Sequence, residues 1–161
     1  MIEDNELLAD FVEESKENLV IAEEDFLSLE AQGENADPTL INRAFRCVHS
    51  IKGGAGFLGM KNIGELAHAM EALMDLIRQG KMSPEKKNIN IMLEGVDHLN
   101  SMFDNASTSN NYDINDIHSR ILNLVAVAVS GEKGKAQLEK LKLKESAANK
   151  AEEKKSAAEE P

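Results

Sequence analysis

The sequence has little of what several protein classes need. It has one cysteine, Cys47, and therefore no partner for an intramolecular disulfide. No stretch approaches the roughly 20 apolar residues of a membrane-spanning helix, so we expect no membrane insertion. The amino terminus is acidic and lacks the basic and apolar regions of a secretory signal. These features lead us to expect a cytoplasmic protein.

Basic residues and aromatic residues are also scarce. The 161 residues include 18 Lys and Arg against 29 Asp and Glu, for a formal charge of −11, and only 4% are aromatic. A nucleic-acid surface needs a basic face and often stacking rings, so we expect no nucleic-acid partner and favour a protein partner.

Composition divides the chain near residue 130. Residues 1–130 hold 22 acidic and 10 basic residues, whereas residues 131–161 are rich in Lys, Glu and Ala and have few large apolar side chains. Such a segment cannot bury much apolar surface. We therefore predict one folded domain over residues 1–130 and a charged linker or tail over residues 131–161.

Apolar residues recur at helical spacing in five segments of the predicted domain. In the first segment they step by four and three residues, the spacing of a helix packed nearly parallel to its neighbours. This first set consists of Leu8, Val12, Leu19, Ala22, Phe26 and Leu29, with the small polar Ser15 at one position of the same spacing. Gly33 is the predicted end of that helix.

Start signals precede the other four helical segments. In chain order they are Asp37-Pro38, the capping box of Asn62 and Glu65, Ser83-Pro84, and Asp113 after a polar loop at 107–112. The short connections require antiparallel neighbours. The predicted fold class is all-α, an antiparallel four-helix bundle with a fifth, C-terminal helix.

The second predicted helix contains a glycine-rich stretch, RCVHSIKGGAGFLG at residues 46–59. Each glycine inside a helix costs about 1 kcal/mol relative to alanine, so some function needs the missing side chains. At 100° per residue, a single stripe beside the apolar face contains Phe45, His49, Lys52, Gly53 and Gly56. The imidazole is therefore open to a large partner, and Lys52 can bring positive charge to an anion bound there.

The predicted hairpin of the second and third helices places His49 beside a carboxylate. Residues whose numbers sum to about 120 lie at similar heights in this hairpin, so His49 is level with Glu71, and Lys52 with His68. Glu71 can then accept the Nδ1 proton of His49, which leaves the Nε2 lone pair facing outward, as a nucleophile requires. Spacing does not fix the rotation of the helices, so this contact is a hypothesis.

The glycine-rich stretch and the following His68-Ala69-Met70-Glu71 segment resemble histidine phosphotransfer (HPt) domains. More narrowly, they are similar to the N-terminal phosphotransfer domain of chemotaxis-type CheA histidine kinases, over about residues 4–129. The resemblance implies that His49 is a phosphoacceptor. It would receive a phosphoryl group on Nε2 from a kinase ATP-binding domain and pass it to an aspartate of a CheY-like or CheB-like receiver domain.

The resemblance also implies roles for five neighbouring residues. Glu71 would orient the phosphoaccepting ring, Lys52 and His68 would lie near the phosphate, and Gly53 and Gly56 would keep the approach clear. We expect no cofactor, no resident metal and no autonomous catalysis in this chain. ATP and Mg²⁺ would come with the kinase domain, and Mg²⁺ with the receiver domain.

Several alternatives stay open at this point. The same residues fit the N-terminal module of a CheA-like kinase and a free-standing relay protein, and the linker-like composition of residues 131–161 favours the first. A metal site of His49, His68, Glu71 and Asp75, and a purely structural helical adaptor, are less favoured. A dinucleotide-binding reading of Gly54 to Gly59 lacks the strand that must precede such a motif.

Overall fold

Five α-helices joined by short connections make up residues 2–130, the part of the chain that the computed structural model describes. They are α1 (Ile2–Gln32), α2 (Pro38–Leu58), α3 (Lys61–Arg78), α4 (Lys86–Asp104) and α5 (Asn115–Ser130). This range contains no strand, and none of its helices is long and apolar enough to cross a membrane. The predicted tail, 131–161, lies outside the described residues, so the domain division at residue 130 stays a prediction.

Helices α1 to α4 form a closed antiparallel bundle, in which each contacts the next and α4 returns to α1. The predicted apolar seam of α1 faces this core, since Leu19, Phe26 and Leu29 are fully buried. Burying a side chain of that size stabilises the fold by about 1.5 to 3 kcal/mol. Ile117 and Ile121 of α5 also join the core. The predicted fold, a four-helix bundle with a fifth helix, is confirmed.

The predicted start of α2 is confirmed by its capping contacts. The Asp37 side chain accepts a hydrogen bond from the backbone N–H of Thr39 at 2.9 Å, and Pro38 occupies the first helical position. At the other end, Gly59 has a φ of 73°, which favours glycine, and its N–H bonds to the last turn of the helix. The helix that carries His49 therefore has defined bounds.

The predicted capping box of Asn62 and Glu65 is wrong. Helix α3 begins at Lys61, and the Asn62 side chain instead donates to the carbonyls of Asn110 and Tyr112 at 2.9 and 2.8 Å. Asn110 accepts from the Asn62 N–H through Oδ1 and donates through Nδ2 to the carbonyl of Gly59. A residue 48 positions away in sequence thus braces the turn between α2 and α3.

The start of α4 and the loop before α5 differ from the sequence prediction, whereas the start of α5 agrees with it. Helix α4 begins at Lys86, after Ser83-Pro84, because the Ser83 carbonyl accepts from the Asn88 side chain instead of starting the helix. The predicted polar loop at 107–112 is largely a 3₁₀ helix, Ala106–Asn111. Asp113 caps α5 as predicted, by accepting from the Asn115 N–H at 2.9 Å.

A half-buried ion pair that was not predicted from the sequence joins α1 to α2. Arg43 donates two hydrogen bonds to Asp25, at 2.6 and 2.9 Å, and the Asp25 side chain is only 2% exposed. The hydrogen bond to this carboxylate raises the pKa of the Arg43 guanidinium above its ordinary value. Because Arg43 lies six residues before His49, the pair helps to fix the rotation of α2.

Two adjacent glycines of α2 should respond to alanine in opposite ways. A Cβ at Gly53 would meet nothing within 4 Å, whereas a Cβ at Gly54 would lie 2.2 Å from the ring of Phe11. We expect Gly53→Ala to raise the free energy of unfolding by about 0.5 to 1 kcal/mol through helix propensity. Gly54→Ala should lower it by about 1 to 3 kcal/mol through overpacking. Urea unfolding of both variants provides the test, and changes of the same sign would contradict this account of the glycines.

Candidate functional site

Helices α2 and α3 bring together three of the residues singled out from the sequence. His49 Nδ1 and Lys52 Nζ bond to different oxygens of the Glu71 carboxylate, Oε2 and Oε1, the latter at 2.7 Å. The predicted contact between His49 and Glu71 is therefore present. Lys52 lies beside the carboxylate, so in this state its charge is directed at Glu71.

The environment of Glu71 determines which nitrogen of His49 is free. Burial pushes the pKa of Glu71 upward, but hydrogen bonds from Lys52 and His49 push it downward by more, and the pKa lies below its ordinary value. Glu71 is therefore ionised near neutral pH and can only accept hydrogen bonds. The proton of a neutral His49 ring must then lie on Nδ1, which leaves the lone pair on Nε2.

The His49 ring is accessible although its carboxylate partner is not. The side chain of His49 is 58% exposed, while that of Glu71 is 11% exposed. Toward the C-terminal end of α2, a Cβ at Gly53 or Gly56 would meet nothing within 4 Å. His49 is thus held on the side of Glu71 and accessible on the side of Gly53 and Gly56, as contact with a large partner requires.

An aromatic contact covers the opposite side of the ring. Phe45, one turn earlier in α2, lies parallel to the imidazole, with ring centroids 5.9 Å apart and planes 10° apart. The guanidinium carbon of Arg78, at the end of α3, lies 4.0 Å from the Phe45 centroid. This stack was not predicted from the sequence, although Phe45 and Arg78 lie at similar heights in the hairpin, since their numbers also sum to about 120.

His68 and Asp75 do not join the His49 cluster. His68 lines a groove between α3 and α5 together with His118 and Leu122, and among the described residues its ring makes no hydrogen bond to the cluster. Asp75 accepts hydrogen bonds from Arg78 and from Gln79, at 2.8 and 2.7 Å. The phosphate-proximal role of His68 therefore stays a prediction drawn from the resemblance alone.

The contacts of these residues can be compared with the alternative hypothesis of a metal site. Of its four candidate ligands, His49 and Glu71 bond to each other, whereas His68 and Asp75 lie apart from that pair. Within residues 2–130, no three histidine, cysteine or carboxylate side chains group so that they could hold a metal ion.

Charge is distributed unevenly around the site. Helix α2 carries three basic residues, Arg43, Arg46 and Lys52, and alone among the five helices of residues 2–130 it carries no carboxylate. The rest of the predicted domain is strongly acidic. An anionic group can therefore approach His49 over α2 without meeting a negative side chain of that helix.

Comparison with known families identifies the chain independently of this geometry. The model of the Hpt domain family matches residues 6–109, which is more than half of the chain. The chemotaxis protein CheA of Rhizobium meliloti is 36% identical over 95 residues, covering 59% of this chain. CheA of Borreliella burgdorferi is 30% identical over 128 residues, covering 78% of this chain. The chain spans only 12% and 15% of the length of these two relatives.

Solved structures agree with the sequence relationship. A histidine phosphotransfer domain of CheA superposes with a TM-score of 0.66 and 30% identity, covering 77% of this chain and 93% of that one. The phosphorylated P1 domain of CheA3 from R. sphaeroides, solved in complex with CheY6, gives a TM-score of 0.67 at 22% identity, over 76% of this chain and 98% of that one. The second likeness shows the fold alone. The family model covers the helices that carry His49 and Glu71, and the chain belongs to the Hpt domain family.

Proposed function

We propose that this chain is a phosphoryl relay module in which His49 Nε2 is the phosphoacceptor. The observation that carries the proposal is the hydrogen bond from the exposed imidazole to the buried, ionised Glu71. It fixes Nδ1 as the protonated nitrogen and presents Nε2 as the nucleophile. The resemblance to CheA phosphotransfer domains supports the same assignment.

The chemistry of the relay balances with few protein groups. In the first step, Nε2 attacks the γ-phosphorus of ATP, the bond to the bridging oxygen breaks, and ADP leaves. The positive charge on the ring is offset by Glu71, which keeps its hydrogen bond to the Nδ1 proton. In the second step, a carboxylate oxygen of the receiver aspartate attacks the phosphorus, and the bonding pair returns to Nε2. Positioning and charge neutralisation account for most of such catalysis, so a donor module needs little more than an oriented ring.

The partners follow from these two steps. The phosphoryl donor is the ATP-binding domain of a chemotaxis-type histidine kinase, which supplies ATP and Mg²⁺. The acceptor is a CheY-like or CheB-like receiver domain with its own Mg²⁺. The similarity to CheA proteins favours a role as the phosphotransfer module of such a kinase over a free-standing relay protein.

Direct phosphorylation tests the proposal. The chain is incubated with Mg-ATP and the catalytic fragment of a chemotaxis-type kinase, and acid-labile phosphate is mapped by mass spectrometry. We expect label on His49 that moves to a receiver domain when one is added. Label on another residue, or no label from a kinase that phosphorylates a related domain, would contradict the assignment.

Phe57 should matter for protein partners and not for small phosphoryl donors. It is 80% exposed and lies about 12 Å from His49 along α2, at 1.5 Å per residue. A partner burying about 800 Å² around His49 covers a radius of about 16 Å, which includes Phe57. We expect Phe57→Ser to slow transfer from phosphorylated His49 to a receiver domain about 5- to 10-fold, as loss of an aromatic anchor does.

The control for this variant is Val20→Ser, an exposed apolar residue of α1 at 56% exposure. It should leave transfer unchanged. Phosphorylation by phosphoramidate, which needs no docking surface, should proceed equally in both variants. Equal transfer rates in Phe57→Ser and the unmodified chain would show that partners do not use this end of α2.

A further inference from the structure

A single hydrogen bond cannot hold the plane of the His49 ring. The contact with Glu71 fixes the position of Nδ1, but the ring can still pivot about the line between the two bonded atoms. The outer torsion of a histidine side chain is broad and gives little resistance to such a pivot. Because the side chain is 58% exposed, a second contact is needed to direct Nε2.

Phe45 provides that contact on one side of the ring. Helical side chains lean toward the N-terminus, so the His49 imidazole extends back over the turn that carries Phe45. The two rings are parallel within 10°, with their centroids 5.9 Å apart, which is the offset arrangement that aromatic pairs prefer. One turn after His49 in α2 comes Gly53, which has no side chain to oppose a tilt of the ring in that direction.

Arg78 in turn holds Phe45. Its guanidinium carbon lies 4.0 Å from the ring centroid, within the range of a cation–π contact. The guanidinium is itself held by a 2.8 Å hydrogen bond to Asp75. Asp75, Arg78, Phe45 and His49 therefore form a continuous series of contacts from α3 back to α2.

We propose that Phe45, supported by Arg78, is a positioning residue that fixes the plane of the His49 ring. Glu71 determines which nitrogen is free, and Phe45 determines the direction in which that nitrogen faces, toward the open side at Gly53. This inference rests on the proposed function, because it concerns the reactivity of Nε2. Its structural part, the fixed ring plane, can be measured without phosphorylation.

The test uses phosphoramidate as a small donor, so that no protein docking enters the rate. Nε2 attacks the phosphorus of zwitterionic phosphoramidate, whose nitrogen already carries three protons. The phosphorus–nitrogen bond of the donor breaks and its electron pair stays on the nitrogen, so that neutral ammonia leaves. We expect Phe45→Leu, which keeps apolar volume but removes the ring, to react about three- to tenfold more slowly. Phe45→Tyr should retain the parental rate, and Arg78→Met should fall between the two.

Nuclear magnetic resonance separates positioning from a general structural role. The order parameter of the His49 Cε1–H bond should fall in Phe45→Leu and stay at the parental value in Phe45→Tyr, because it reports motion of the ring on the fast timescale. The ¹⁵N shifts should show the same tautomer in both. Tyr112→Leu removes the ring packed on His98 and should change neither readout, since it lies outside the site.

Three results would overturn the inference. One is a parental rate or a parental order parameter in Phe45→Leu. Another is equal slowing in Phe45→Tyr, since the ring would then not be the relevant feature. A third is loss of the His49 tautomer in Phe45→Leu, because Phe45 would then act through the Glu71 contact. If the unmodified chain takes no phosphate on His49, the proposed function fails, and the order parameters still decide whether Phe45 fixes the ring.

Discussion

Replacing His49 with glutamine should abolish phosphorylation of the chain and leave its fold intact. Glutamine cannot form the phosphorus–nitrogen bond, and the other three histidines, at 68, 98 and 118, do not share the environment of His49. The free energy of unfolding should fall by about 1 kcal/mol or less, because the substitution removes one hydrogen bond and a ring that is already half-exposed. We expect the melting temperature to change by no more than about 4 °C.

The measurement is label from kinase and Mg-ATP on the two proteins, with circular dichroism and thermal unfolding in parallel. His118→Gln is the matched control, since that half-buried histidine lies on α5 and should leave phosphorylation unchanged. Residual label in His49→Gln would place the phosphoacceptor elsewhere. A collapsed fold would show that His49 is structural, against its exposed position.

The fold could be predicted from the sequence because its determinants are local. Apolar spacing defined the five helices, and Asp37 and Pro38 defined the start of α2. The wrong prediction of a capping box concerns a group whose partners are far along the chain. Asn62 was predicted to cap its own helix, but it bonds to Asn110 and Tyr112, which no local pattern indicates.

The site was predictable in part for the same reason. The antiparallel hairpin and its numbering placed His49 level with Glu71, and the contact is present. The same rule applies to Phe45 and Arg78, but it does not show that a ring and a guanidinium will stack. His68 was placed level with Lys52, yet it faces α5, because height along a hairpin does not determine the rotation of a helix.

Replacing Glu71 with glutamine should slow phosphorylation more than replacing it with alanine. The glutamine amide presents one acceptor and one donor where the carboxylate presented two acceptors. Lys52 can only donate, so it takes the oxygen and leaves the amide NH₂ facing His49 Nδ1. Nδ1 must then accept, which moves the ring proton to Nε2 and occupies the lone pair that attacks phosphorus.

We expect the rate with phosphoramidate to fall on the order of 10- to 100-fold in Glu71→Gln, the loss typical when an orienting carboxylate behind a functional histidine is removed. In Glu71→Ala, water replaces the carboxylate, and the rate should lie between that of the unmodified chain and that of Glu71→Gln. The ¹⁵N shifts of His49 should show the proton on Nε2 in Glu71→Gln. A proton on Nδ1 in that variant, or a rate above that of Glu71→Ala, would contradict the mechanism.

The pH dependence of stability gives an independent test of the same carboxylate. Because the pKa of Glu71 in the folded chain lies below its ordinary value of 4.5, the ionised group stabilises the fold above about pH 4.5. That contribution is lost as the pH falls through the lowered pKa. Glu71→Gln removes the titrating group, so its stability relative to the unmodified chain should improve as the pH drops below 4.5. A difference that stays constant between pH 6 and pH 3, measured by urea unfolding, would mean that Glu71 is not the ionised acceptor on which the tautomer of His49 depends.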